Sequence, residues 1–134
     1  MGRRREAREK ALKELYRLEI TGDAWSASDA EPLDPLAATI VRTVAARQGE
    51  IDALLEKTVE HWSLARLALI DKLVLRIGVA ELLYLPETPP KVVIDEAVEI
   101  AKKFSTEKSG SFVNGVLDRI WKLHEHDQAA GGAI

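Results

Sequence analysis

The chain has 134 residues, with 19 Lys and Arg against 22 Asp and Glu, and no cysteine. That length suits one domain with a sizeable core, and the missing thiols exclude disulfides and thiolate chemistry and fit a reducing compartment. No apolar run approaches the roughly 18 residues of a membrane span and no secretory core follows the basic start, so a cytoplasmic protein is expected.

Residues 3–20 predict an amphipathic helix, with Ala7, Ala11, Leu15 and Leu18 on one face. The segment carries Arg3, Arg4, Arg5, Arg8, Lys10, Lys13 and Arg17 against four glutamates, a net +3 on a chain whose net charge is −3. A local basic patch on an acidic chain points to a localised anionic partner, and arginine's planar fork suits phosphate. A solvated helix start that serves solubility fits equally well, and these residues alone leave both readings open. Arg5, Arg8, Leu12 and Tyr16 form a second stripe beside the apolar face, able to present two arginines and a tyrosine along one edge. Gly22 is the expected stop.

Residues 22–35 read as a connector, broken by Asp23, Ser26, Ser28, Asp29, Pro32 and Pro35, with Trp25 and Leu33 pinning it to the core. From Leu36 a helical pattern resumes through Ile40, Val44, Ile51 and Leu55, and Gly49 is expected to bend or split that helix. Trp62-Ser63-Leu64 marks a break, with Ser63 as an N-cap. Residues 64–84 are apolar on most sides, the pattern of a central helix surrounded by others. Its charges Asp71, Arg76 and Glu81 are expected either to form buried ion pairs with other elements or to face a protein partner. Pro86, Pro89 and Pro90 force a non-helical connection. Lys91–Phe104 and Ser111–His124 complete the helices, and the Ala- and Gly-rich residues 128–134 are expected to be a disordered tail after a domain spanning 1–127. The sum is an all-α single domain of about six or seven helices.

Little in the chain invites catalysis. His61, His124 and His126 make a poor metal set, and no glycine-rich phosphate loop is present. Asp95, Glu96 and Glu99 read as early-helix carboxylates and as surface partners of Lys102 and Lys103. No nucleophile has a partnered base. No enzymatic activity, metal or cofactor is expected.

Two blocks together carry a resemblance. The first is Arg3-Arg-Arg-Glu-Ala-Arg-Glu-Lys-Ala-Leu-Lys-Glu-Leu-Tyr16. The second runs from Trp62 and Leu64 through Asp71, Leu75-Arg76-Ile77 and Glu81-Leu-Leu-Tyr84, then Lys91-Val-Val-Ile-Asp-Glu-Ala-Val-Glu-Ile-Ala-Lys-Lys-Phe104, Ser109 and Phe112-Val-Asn-Gly-Val-Leu-Asp118. Over nearly all of residues 3–122 the chain resembles the NusB family of bacterial transcription antitermination factors. The resemblance implies two small packed helical bundles. It also implies binding of single-stranded boxA RNA in nascent transcripts, notably of ribosomal RNA operons, together with NusE, a small-subunit ribosomal protein. That assembly joins RNA polymerase and suppresses termination, and some relatives are homodimers.

Carried residue by residue, the resemblance assigns RNA contact to Arg3, Arg4, Arg5, Arg8 and Tyr16, and to the Glu107–Phe112 loop with Lys108, Ser109 and Phe112. Arginines would hold phosphates, Tyr16 or Phe112 would stack an unpaired base, and Ser109 would cap the last helix at an anion-friendly terminus. For Tyr16 and Phe112 ordinary core packing competes with this role. Arg66, Ile70, Asp71 and Val74 are the NusE candidates. The chain departs from the family in its short 22–35 connector, in Ala80 where an aromatic is frequent, and in Lys108 where an acidic residue is common. The last change should strengthen phosphate attraction. Two other readings are an RNA-methyltransferase accessory domain, since some such enzymes carry a similar N-terminal unit, and a protein-interaction module or homodimer with a masked basic helix.

Overall fold

The computed structural model describes residues 2–26, 28, 32–59 and 64–131. Among them the chain forms five α-helices and one 3-10 turn, and no strand. Helix α1 spans Gly2–Thr21, α2 Pro35–Thr58, α3 Leu69–Tyr84, α4 Pro90–Phe104 and α5 Glu107–Gly131, with the 3-10 turn at Leu64–Arg66 between α2 and α3. His61, Trp62 and the expected Ser63 cap lie outside the described residues.

Local chemistry explains most boundaries. Gly22 adopts φ +78°, and its N–H donates to Leu18 O at 2.8 Å, the left-handed stop that glycine takes without a Cβ penalty. Helix α2 starts where Asp34 accepts a hydrogen bond from the Leu36 N–H at 2.8 Å and Pro35 occupies the first turn. Pro90 opens α4 in the same way. Trp25 and Leu33 of the connector pack against the core, as their positions in the sequence suggest.

Helix α2 runs unbroken through Gly49, so the expected split is absent, and among the described residues five α-helices have full bounds where six or seven were expected. Ile51 and Leu55 beyond the glycine, and Val41 and Val44 before it, are all buried and hold both halves to one core. Nothing lies within 4 Å of a Cβ built at Gly49. Gly49→Ala is therefore expected to stabilise the protein by roughly 0.5–1 kcal/mol, read as a higher urea midpoint at constant slope.

Two further boundaries move. The apolar run 64–84 divides at Leu67-Ala68 into the 3-10 turn and α3. The last helix begins four residues earlier than expected and continues to Gly131. The predicted tail thus has its first residues inside α5, where Gln128, Ala129 and Ala130 are good helix formers. Residues 132–134 lie outside the described residues.

Helix α3 is the hub. It packs against α1, α2, α4 and α5, with α1 on α2 as one group and α4 on α5 as the other. Its residues Leu73–Leu82 are all buried, which is why its sequence is apolar around most of its circumference. Gly78 lets α5 approach closely, because a Cβ there would stand 2.6 Å from Leu117 Cδ1. Arg76, inside the apolar run, reaches both neighbours in the first group: its Nε and Nη2 donate to Asp52 of α2 at 2.8 Å each, and its Nη1 to Glu19 of α1 at 3.1 Å. Among the described residues no helix is long and apolar enough to cross a membrane.

Candidate nucleic-acid interface

The arginines of α1 do not form one patch. The Arg3 side chain lies outside what the structure describes. Arg4 is exposed and lines a broad cleft of about 710 Å³ with Leu36, Tyr84 and Glu87. Arg5 leans onto α4, its Nε donating to Glu96 Oε1 at 2.9 Å and its Nη2 to Oε2 at 2.7 Å. Lys103 of α4 reaches back to α1, donating to both oxygens of Glu9 at 3.0 and 3.1 Å. Helices α1 and α4 are thus tied by two salt bridges.

Arg8 overturns its assignment to RNA. It is 2 % exposed and points into the core, where Nε and Nη2 each donate to a carboxylate oxygen of Glu81 at 2.8 Å. The edge expected from Arg5, Arg8, Leu12 and Tyr16 therefore disappears inside at its middle, since Leu12 is buried too. The bonds follow from the setting: burial disfavours the guanidinium charge, but the bonds and charge of Glu81 outweigh it and push the pKa of Arg8 above its ordinary value. Of the two readings left open for the charges of the apolar run, Arg76 and Glu81 take the buried ion pair and not the partner surface, each pairing with another helix. Tyr16 stands 43 % exposed on the outer face of α1, clear of the core packing that competed with a surface role.

A second locus forms where α3 and α5 begin. A cleft of about 390 Å³ is lined by Arg66, Leu67, Asp71, Lys108, Ser109 and Phe112, with Ala68 and Thr106 completing the wall. The sequence assigned these residues to two different surfaces, one for RNA and one for a protein. They share a single cavity. Phe112 is half-buried, Lys108 and Arg66 are exposed, and Asp71 Oδ1 is buried without a hydrogen-bond donor among the described residues. An unpaired buried acceptor costs about 1–3 kcal/mol, so a ligand N–H placed there would be favoured.

Ser109 is not the cap expected of it. Helix α5 starts at Glu107, so Thr106 holds the cap position: the Ser109 N–H donates to Thr106 Oγ1 at 3.2 Å and the Thr106 N–H to Ser109 Oγ at 3.3 Å. This reciprocal pair is the capping-box arrangement, with Ser109 in the role usually taken by Glu or Gln. The Ser109 hydroxyl also donates to Ser105 Oγ at 3.1 Å. It is buried and committed to structure. Val74 is corrected likewise: at 1 % exposure it belongs to the core and offers nothing to a partner, while Ile70 is half-buried and packs on that core. Helical period alone could not separate Val74 from the cleft residues Arg66 and Asp71, because α3 is enclosed on nearly all sides.

The pairings that sequence reasoning missed are Arg5–Glu96 at the surface and Arg8–Glu81 in the core, separated by 91 and 73 positions. The hydrogen bond from Arg5 is the main reason that the Glu96 carboxyl titrates below its ordinary range, with the Arg5 charge adding to it. Since that pKa is depressed on folding, the pair contributes fully above the free glutamate range and is lost only as pH falls through the lowered value. Among the described residues no three His, Asp or Glu side chains converge as a metal site.

An all-helical domain that gathers two cations and an aromatic ring around an apolar cleft, beside a helix bearing outward arginine and tyrosine, has the make-up of a nucleic-acid-binding bundle. The chain belongs to the NusB family, whose pattern it matches over residues 5–122. It is 46% identical over 121 residues to the transcription antitermination protein NusB of Lysinibacillus sphaericus, covering 87% of this chain and 95% of that one. Among solved structures it resembles T. maritima NusB at 38% identity and a TM-score of 0.79, covering 91% of this chain and 92% of that chain. It also resembles a chain from the crystal structure of the antitermination factors NusB and NusE in complex with dsRNA, at 35% identity and a TM-score of 0.76, covering 92% and 99%.

Proposed function

We propose that this protein is a transcription antitermination factor that binds single-stranded boxA RNA of nascent transcripts, including those of ribosomal RNA operons, together with NusE. In the cytoplasm the resulting complex would join elongating RNA polymerase and help it resist termination. The observation that carries this reading is the α3–α5 cleft. Phe112 offers a ring on which an unpaired base can stack, Lys108 and Arg66 offer charge for the flanking phosphates, and Asp71 offers an acceptor for a base N–H. Arg4, Arg5 and Tyr16 extend the surface along α1. The crystal structure of the related factors NusB and NusE in complex with dsRNA supports NusE and RNA, in the coarse sense, as partners for this chain. NusE falls to the exposed edge of the cleft, with Arg66, Asp71 and the half-buried Ile70 touching it.

The test is a titration of a boxA-containing RNA and a scrambled control, with and without NusE. Preference for boxA in the presence of NusE is the expected result, and absence of binding to either RNA with NusE present rejects the reading. In the same assay Lys108→Asp is expected to weaken binding and to flatten the dependence of log K on log salt by about 0.7 for each phosphate no longer neutralised. Equal affinities across the salt series would refute the role given to Lys108.

A further inference from the structure

Among the described residues Arg5 is an α1 arginine that another helix holds at the surface. Its pairing with Glu96 is side-on: Nε and one hydrogen of Nη2 take the two carboxylate oxygens, and the Nη1–Nη2 edge takes no part in those bonds. The Arg5 side chain is 31 % exposed and that of Glu96 is 15 % exposed, so Arg5 is the more accessible member of the pair. The two residues help to line a cleft of about 510 Å³ between α4 and α5, with Asp95, Glu99, Lys102, Ser111 and Asn114, so a phosphate is accepted at the outward edge of Arg5 and not within the acidic cleft. Ser111 and Asn114 lie on the face of α5 that adjoins Lys108 and Phe112.

Two effects of Glu96 on a nearby phosphate oppose each other. Its charge repels the phosphate. Its fork holds a long side chain in one orientation near the end of α1, and that ordering is then already in place when the ligand arrives. A phosphate on the Nη1–Nη2 edge would touch the guanidinium directly, while the carboxylate, bound to the neighbouring edge, lies further off. Coulomb energy falls with distance, so the attraction outweighs the repulsion and the orienting effect decides the sign.

We propose that Glu96 is a positioning residue for RNA: it clamps Arg5 side-on, so that the adjacent Nη1–Nη2 edge of the guanidinium meets a backbone phosphate. This rests on the RNA-binding function proposed above. The test compares the unaltered protein with Arg5→Ala, Glu96→Gln, the double variant and Glu9→Gln, using boxA RNA with NusE and a salt series read by fluorescence anisotropy. Each of the first two changes is expected to weaken binding on the order of five- to tenfold and to flatten the salt slope by about 0.7, with the double variant no weaker than either. Glu9→Gln breaks the neighbouring α1–α4 bridge to Lys103 and is expected to leave the salt slope unchanged. Binding by Glu96→Gln that equals or exceeds that of the unaltered protein would mean that Glu96 acts only as a repelling charge, and the proposal falls. It falls equally if Arg5→Ala has no effect, if the two changes multiply, or if Glu9→Gln reproduces the loss. Failure of the unaltered protein to bind any RNA rejects the function itself, a result distinct from all of these.

Discussion

Arg8→Ala is expected to lower the unfolding free energy by roughly 3–5 kcal/mol, because it leaves the carboxylate of Glu81 buried without its counter-charge. Both side chains are almost fully enclosed, at 2% and 3% exposure, and the two bonds between them bridge α1 to α3. Removing one partner therefore strands a charge that water cannot reach. Glu81→Gln is expected to be damaging for the complementary reason, since the guanidinium would then be the stranded group. The pair is nevertheless not proof of net stabilisation, as bringing both ions out of water was costly. The double change Arg8→Met with Glu81→Leu should thus recover most of what either single change loses. Urea unfolding of the unaltered protein, Arg8→Met, Glu81→Leu and their double variant forms a double-mutant cycle that measures the coupling. A loss below about 1 kcal/mol in both single variants would show that the two groups find solvent or other partners, contrary to the enclosed geometry.

Gly78→Val is the second large expected effect, a loss of roughly 2–3 kcal/mol. A Cβ at residue 78 would stand 2.6 Å from Leu117 Cδ1 and 2.9 Å from Cδ2. Leu117 is fully buried, so its methyl groups cannot swing into solvent to make room. Alanine at the same position brings the same clash but also gains about 1 kcal/mol of helix propensity over glycine, and should come out much closer to neutral. Shortening the opposing side chain offers a direct check. Gly78→Ala combined with Leu117→Val should be more stable than the sum of the two single effects predicts, because the shorter side chain makes room for the added Cβ and the Cβ fills the space it leaves. Strict additivity in thermal or urea unfolding would remove the α3–α5 approach as the reason for the glycine.

These two sites illustrate what the sequence makes legible. The helices are readable because apolar spacing, prolines and Gly22 act within a few residues, and those signals survive packing. The role of α3 is readable too, since a run that is apolar all round has nowhere to go but the centre. Arg8 is misjudged from sequence because its stripe position is the same for a surface arginine as for one that meets a carboxylate 73 positions away. Ser109 is misplaced by a single helical turn, as Thr106 competes for the same cap and wins. The cleft itself is split in the sequence between an RNA surface and a protein surface. Residues near 66–71 and near 106–112 carry no local sign that they face one another, and only the packing of α3 on α5 brings them together.

The cleft is built unevenly. Its floor rises from the first turn of α3, the helix locked by neighbours on all sides, whereas one rim is the opening turn of α5, where Glu107 and Lys108 stand in solvent. Local opening is easiest where few apolar contacts must break, and that condition describes the rim and not the floor. A ligand entering here would meet acceptor and wall already in place and would need to order only the rim. The cost of adaptation is thereby confined to a few residues, and changes in the opening turn of α5 can tune recognition without disturbing the core beneath it.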